Sequence, residues 1–228
     1  MIFPEERLIF ALDMFTQKEA ERYVEELDGI VNFFKVGIIL YTITGPAFVE
    51  YLIKRNKKVF LDLKFYDIPE TVRDAVKQVS LLGVEFLTVH SQRQVMEAAV
   101  EGKRGSLLRI LAVTLLTSMD AADVGTGKSS EEVVIERAKL AAECGCEGVV
   151  ASGMEAGLIK KQTEGKLLVV CPGVRPSGEN KGLHKRAATP SEAISAGADY
   201  LVVGRPIRDA VIPRIAAQEI VKEIQSAL

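Results

Sequence analysis

The chain has 228 residues, with 29 Lys plus Arg against 31 Asp plus Glu, a formal charge of −2, 48% hydrophobic residues and 26% charged residues. This ordinary globular mix can bury a full core without a disulfide or metal staple. The near-neutral balance argues against a dedicated nucleic-acid binder, which would usually show a basic stripe. No apolar run reaches the roughly 18 residues of a membrane span, and the best candidate, Leu107 to Leu116, carries Arg109. Met1 to Arg7 holds two acids and no apolar core, so it does not read as a signal peptide. Cys144, Cys146 and Cys171 are too few, and wrongly spaced, for a disulfide framework or zinc site. They read as small buried residues of a cytoplasmic protein.

Short apolar runs alternate with amphipathic stretches from end to end. The first run, Leu8–Leu12, is followed by Thr16-Gln-Lys-Glu19, a helix-capping pattern, with Ala20, Tyr23, Val24 and Leu27 at helical spacing and Gly29 at the end. Phe33–Val36 and Val59–Leu63 come next, and Pro69 then opens a helix with Val72, Ala75, Val76 and Val79 on one face. Phe86–Val89 and Leu108–Val113 follow. Ser129-Ser-Glu-Glu132 caps a helix that Gly145 ends. Gly148–Ala151 and Leu167–Val170 precede Thr189-Pro-Ser-Glu192, another cap, and Tyr200–Val203 is the eighth run. Near-continuous apolarity fits parallel strands covered on both faces. Eight strand–helix units without a linker predict an α/β fold, a (β/α)8 TIM barrel in one domain over residues 1–228. A doubly wound open sheet is the alternative, but Ala11-Leu-Asp-Met-Phe15 stands where its glycine fingerprint belongs.

Barrel chemistry sits at the C-terminal ends of the strands. Asp13, Lys35, Asp62 with Lys64, His90, Thr114, Ser152, Arg175 and Arg205 close or follow the eight runs. Strand alternation puts Asp62 and Lys64 on one face, with Leu61 and Leu63 on the other, and Asp67 follows in the turn before Pro69. A structural ion pair with a helix cap at Asp67 is the plainer account of this cluster. Buried ion pairs contribute little net stability, however, which favours a chemical reason for one. Gly204-Arg205 before a helix, with the basic stretch Arg175 to Arg186, suits a phosphate. A merely solvated basic loop is the alternative. That loop is also long enough to be a lid. Thr117 and Ser118 after the fifth run offer hydroxyls to a polar heterocycle.

Taken together, Leu12-Asp13, Lys35-Val-Gly37, Asp62-Leu-Lys-Phe-Tyr-Asp67-Ile-Pro69, Leu116-Thr-Ser-Met119, Pro172-Gly-Val-Arg-Pro176 and Gly204-Arg-Pro-Ile207 resemble the orotidine 5'-phosphate decarboxylase family along nearly the whole chain. The resemblance implies a cofactor-free, metal-free homodimeric barrel that converts orotidine 5'-phosphate to UMP and carbon dioxide in pyrimidine synthesis. It implies Lys64 as the acid that protonates carbon 6, Asp62 facing the substrate carboxylate, and Lys35 and Asp67 completing a charge array. Asp67 and Thr71 would act across the dimer interface. Asp13 and Lys35 would hold the ribose, Thr117 and Ser118 the pyrimidine, and Arg175, Gly204 and Arg205 the phosphate. Nine residues after Arg175, where the family usually has a phosphate-binding Gln, stands His184, which can still donate to phosphate in a pH-dependent way. After His90 the chain reads Ser91-Gln-Arg-Gln where the family often has small residues. Sister barrels sharing the third-strand pattern, keto-gulonate phosphate decarboxylase and hexulose phosphate synthase, use a metal on a sugar phosphate. A silent nucleotide-binding barrel is the third possibility. No nucleic-acid or membrane partner is expected.

Overall fold

The computed structural model describes residues 2–119, 123, 125, 127–176 and 188–228. Eight parallel strands close into one barrel in sequence order: β1 (Leu8–Ala11), β2 (Phe33–Gly37), β3 (Lys58–Phe65), β4 (Phe86–His90), β5 (Arg109–Val113), β6 (Gly148–Val150), β7 (Leu168–Pro172) and β8 (Tyr200–Val203), with β8 pairing back to β1. Every predicted apolar run is a strand. The third is longer than expected and takes Lys64 and Phe65 into the sheet.

The helices surround the barrel. α1 (Gln17–Glu26) starts where Thr16 Oγ1 accepts the Glu19 N–H. α2 (Ile38–Thr44) and α3 (Pro46–Lys54) both follow β2 and divide at Gly45-Pro46. α4 (Pro69–Ser80) and α5 (Arg93–Gly102) pack closely, and Gly102 allows it, because a Cβ there would lie 2.3 Å from the Arg73 carbonyl oxygen. α6 (Ser130–Glu143) and α8 (Pro190–Ser195) begin with full capping boxes at Ser129 and Thr189. α7 (Ala156–Gln162), α9 (Arg205–Arg208) and α10 (Pro213–Ser226) complete the described set. Among the described residues no helix is long and apolar enough to cross a membrane.

Alternation along each strand creates two cores. Leu8, Phe10, Phe34, Leu61 and Leu87 point outward against the helices. Ile9, Phe33, Phe60, Phe86, Leu111 and Tyr200 point inward. Phe86 is the hub of the inner layer, with ring centroids 5.2 Å from Phe33, 5.9 Å from Phe60 and 5.1 Å from Tyr200. The Arg109 guanidinium lies 5.0 Å from the Phe86 centroid and pairs with Glu85. These rings fill the middle of the barrel, with Arg109 and Lys58 at its N-terminal end and the charged residues of β2 and β3 at the other. The three cysteines are buried and unpaired, and burial pushes the Cys146 and Cys171 thiols far up.

Candidate active site

Continuing the inward alternation past the aromatic layer gives the polar floor of the mouth. On β2 the residue two beyond Phe33 is Lys35, and on β3 the residue two beyond Phe60 is Asp62. Lys35 Nζ lies 2.8 Å from Asp13 Oδ1 and 3.9 Å from Asp62 Oδ2. Lys64 Nζ lies 2.7 Å from Asp62 Oδ1. Asp13, Lys35, Asp62 and Lys64 therefore form a line of alternating sign, in which every like charge is separated by an opposite one. The Lys35 side chain is 10% exposed and that of Asp62 16%. In such a partly desolvated setting each charge depends on its neighbours.

Gly37 is part of this construction. A Cβ there would lie 2.9 Å from Lys35 Nζ and 3.4 Å from Asp13 Oδ1, so glycine leaves the room in which that pair forms.

Lys64 reaches Asp62 by a different route from simple alternation. The pairing of β3 with β4 shifts register between Leu61 and Phe65, and Lys64 has φ 49°. Left-handed backbone costs a residue with a Cβ about 1–2 kcal/mol. The other described non-glycine residues with positive φ, Asn56 and Glu164, lie in turns after helices; Lys64 lies within a strand. The bulge re-aims its side chain toward the mouth.

Two cavities meet at this line of charge. One, about 160 Å³, is lined by Lys35, Asp62, Lys64 and Thr117, with apolar walls that include Leu115 and Val150. The second, about 170 Å³, is lined by Asp13, Gly204, Arg175, Arg205 and Arg208. Lys35, Pro172 and Val202 line both, so the cavities are two halves of one cleft. The first half suits a flat ring over fixed charges, and the second suits an anion. Arg175 is buried, and its Nη1 donates to the Val174 carbonyl at 2.9 Å. Arg205 opens α9 directly after Gly204.

The structure thus brings together Asp13, Lys35, Asp62, Lys64, Thr117, Arg175, Gly204 and Arg205 from the sequence-based set. Ser118 is exposed and does not line the cleft. Asp67 and Thr71 are exposed and stand outside it. Asp67 Oδ1 accepts the Ile68 N–H at 2.7 Å and lines a separate surface cleft with Pro69, Gln92 and Arg93. His184 lies outside the described residues.

Sequence reasoning missed Arg208 and Thr88. Arg208 Nη1 donates to the Asp13 carbonyl at 3.4 Å. The signal was its spacing of three from Arg205 on one short helix. Thr88 is fully buried and bonds both Asp62 and the Lys64 backbone. Its signal was its position two residues beyond the inward Phe86. His90 follows on the same face, its ring centroid 5.3 Å from that of Tyr66. Burial, then the Lys64 and Arg137 cations, hold the His90 imidazole below its ordinary range.

Comparison with known proteins points the same way. The model of the orotidine 5'-phosphate decarboxylase / HUMPS family matches residues 6–220. A protein of Nitrobacter winogradskyi named orotidine 5'-phosphate decarboxylase is 49% identical over 98% of this chain and 94% of its own. One of Methylobacterium nodulans with the same name is 47% identical over 98% of each. Among solved structures, orotidine 5'-phosphate decarboxylase from Lactobacillus acidophilus superposes with a TM-score of 0.84 at 32% identity, covering 95% of this chain and 98% of that one. An uncharacterized conserved protein from Geobacillus kaustophilus gives 0.82 at 35%, covering 95% and 99%. With the match spanning all eight strands and the polar mouth, the chain belongs to the orotidine 5'-phosphate decarboxylase / HUMPS family.

Proposed function

We propose that this chain decarboxylates orotidine 5'-phosphate to UMP, with Lys64 as proton donor and no cofactor. The observation that carries the mechanism is the Asp62–Lys64 pair, 2.7 Å apart at the floor of a cavity continuous with an arginine-lined one. The pyrimidine lies over the pair, and the phosphate lies between Arg175 and Arg205. Asp13 and Lys35, between the halves, hold the ribose.

The bond from carbon 6 to the carboxylate breaks, and its electron pair stays on carbon 6 in the ring plane. That carbon takes a proton from the Lys64 ammonium, which later regains one from solvent. A fixed positive charge where negative charge develops lowers the barrier without reorganisation. Asp62 faces the departing carboxylate, so its repulsion is relieved as carbon dioxide leaves. The phosphate is remote from the reacting carbon. Its charge-assisted bonds, about 1.5–3 kcal/mol each, supply binding energy that holds the ring against the charges.

The active form is proposed to be a homodimer. Asp67 and Thr71 do not line their own chain's cleft, and Tyr66 and Ile68 beside Asp67 are each 64% exposed. A second copy covers those apolar side chains and receives Asp67 and Thr71 at its own mouth.

The test is loss of the ultraviolet absorbance of orotidine 5'-phosphate on adding nanomolar protein in excess EDTA. Rapid loss with UMP formed is expected. Activity only on a sugar phosphate with magnesium would assign the chain to the metal-dependent sister reaction instead. UMP binding without turnover of either substrate would make it a binding protein.

A further inference from the structure

We infer that Thr88, which lines neither half of the cleft, is the positioning residue that sets Lys64 and Asp62 for the reaction proposed above. Its single hydroxyl makes both of the contacts that matter. Oγ1 accepts the Lys64 backbone N–H at 3.0 Å and donates its proton to Asp62 Oδ1 at 2.9 Å. Asp62 Oδ1 is also the atom 2.7 Å from Lys64 Nζ. The result is a closed circuit: Lys64 backbone to Thr88 hydroxyl, to Asp62 carboxylate, to Lys64 ammonium.

The circuit lies where the sheet is irregular. The ladder between β3 and β4 shifts register between Leu61 and Phe65, so Lys64 N–H turns to a side chain for its acceptor. Thr88 supplies it from the facing strand. A hydroxyl is required, because only a group that accepts and donates at once can hold the bulged backbone and the carboxylate together. Threonine also suits the place better than serine, since its branched Cβ restricts χ1 and points the oxygen from the backbone of β4. Thr88 is fully buried, so water does not compete for either bond. The positive φ of Lys64 persists because this circuit holds it.

The inference rests on the decarboxylase reading, and wild-type turnover in the same assay tests that reading separately. Thr88→Val keeps the shape and removes the hydroxyl. Its kcat is expected to fall about 10–10²-fold, the scale of a small misplacement of a reacting group, while KM and UMP affinity change less than about threefold. Thr88→Ser, which restores the hydroxyl, is expected to keep kcat within about threefold of wild type. A role confined to packing would lower the melting temperature and leave kcat per folded site unchanged. Unchanged kcat in a folded Thr88→Val overturns the inference. Should Val prevent folding, Thr88→Ser decides alone: a loss beyond about tenfold with the hydroxyl retained overturns it too.

Discussion

At the scale of single residues, the mouth is made of charged groups in direct contact with one another. Lys64→Ala removes the proposed proton donor while Thr88 and Lys35 still hold Asp62. Turnover is expected to fall by at least the roughly 10²–10⁴ of a lost general acid, with the circular dichroism spectrum unchanged. Near-normal turnover would remove Lys64 from its role. His90 makes a separate prediction about stability. Burial, Lys64 and Arg137 hold its folded-state pKa below the ordinary 6.5. On acidification the unfolded chain takes up this proton first. Stability therefore declines as pH falls through 6.5 and levels off below the folded-state value. Urea melts between about pH 7 and pH 5 are expected to show a smaller decline for His90→Gln than for wild type. Equal declines would mean that His90 is protonated alike in both states. Residues were the least legible scale in the sequence. Asp62, Lys64 and Lys35 announce themselves, because charges closing several strands of a barrel converge on one mouth. Thr88 does not, because one hydroxyl among Phe86, Leu87 and Val89 looks like any β-branched strand residue.

At the scale of elements, each strand does two jobs along its length. Its first residues build the aromatic layer and its last present the polar mouth. β4 shows this within five residues: Phe86 sits at the hub, Thr88 in the circuit, and His90 beside Tyr66. Phe86→Ala is expected to cost about 3–5 kcal/mol of stability, as for other large-to-small core changes. A urea titration measures it. A loss under about 1 kcal/mol would mean that the layer closes over the gap. Strand existence was readable because both faces of a parallel barrel strand are covered, which leaves continuous apolar runs. The bulge in β3 was not readable. Its sequence, Asp62-Leu-Lys64, keeps the regular alternation, and the irregularity appears only when β4 is laid beside it. α2 was hidden for a related reason. Ile38, Ile39 and Ile43 are apolar but exposed, so the helix carries no polar face to mark it.

At the scale of the whole molecule, one chain alone does not assemble the proposed charge array. Within one chain the alternating line ends at Lys64, and Asp67 stands outside the cleft. Two inactive variants therefore test the shared site. Lys64→Ala and Asp67→Asn, refolded or co-expressed together, are expected to recover up to about a quarter of wild-type turnover, because random pairing gives half hybrid dimers, each with one intact site. Sedimentation of the mixture checks that dimers form. No recovery from mixed dimers would place Asp67 in its own subunit's chemistry or in none. The barrel itself was legible from order and spacing, while the quaternary reading came from a family resemblance, since an exposed aspartate in a turn looks the same whether or not a partner receives it.

The aromatic layer has a bearing on traffic. Among the described residues, Phe33, Phe60, Phe86 and Tyr200 pack ring against ring beneath the charges and fill the base of the interior. Substrate, gas and nucleotide must all use the same opening. In the proposed reading the phosphate lies in the half lined by Arg175 and Arg205, and the bond that breaks lies over Asp62 and Lys64 in the other half. On that proposed placement, carbon dioxide is released beneath its own parent molecule and leaves by passing it. Whatever loosens the phosphate also unstops the mouth.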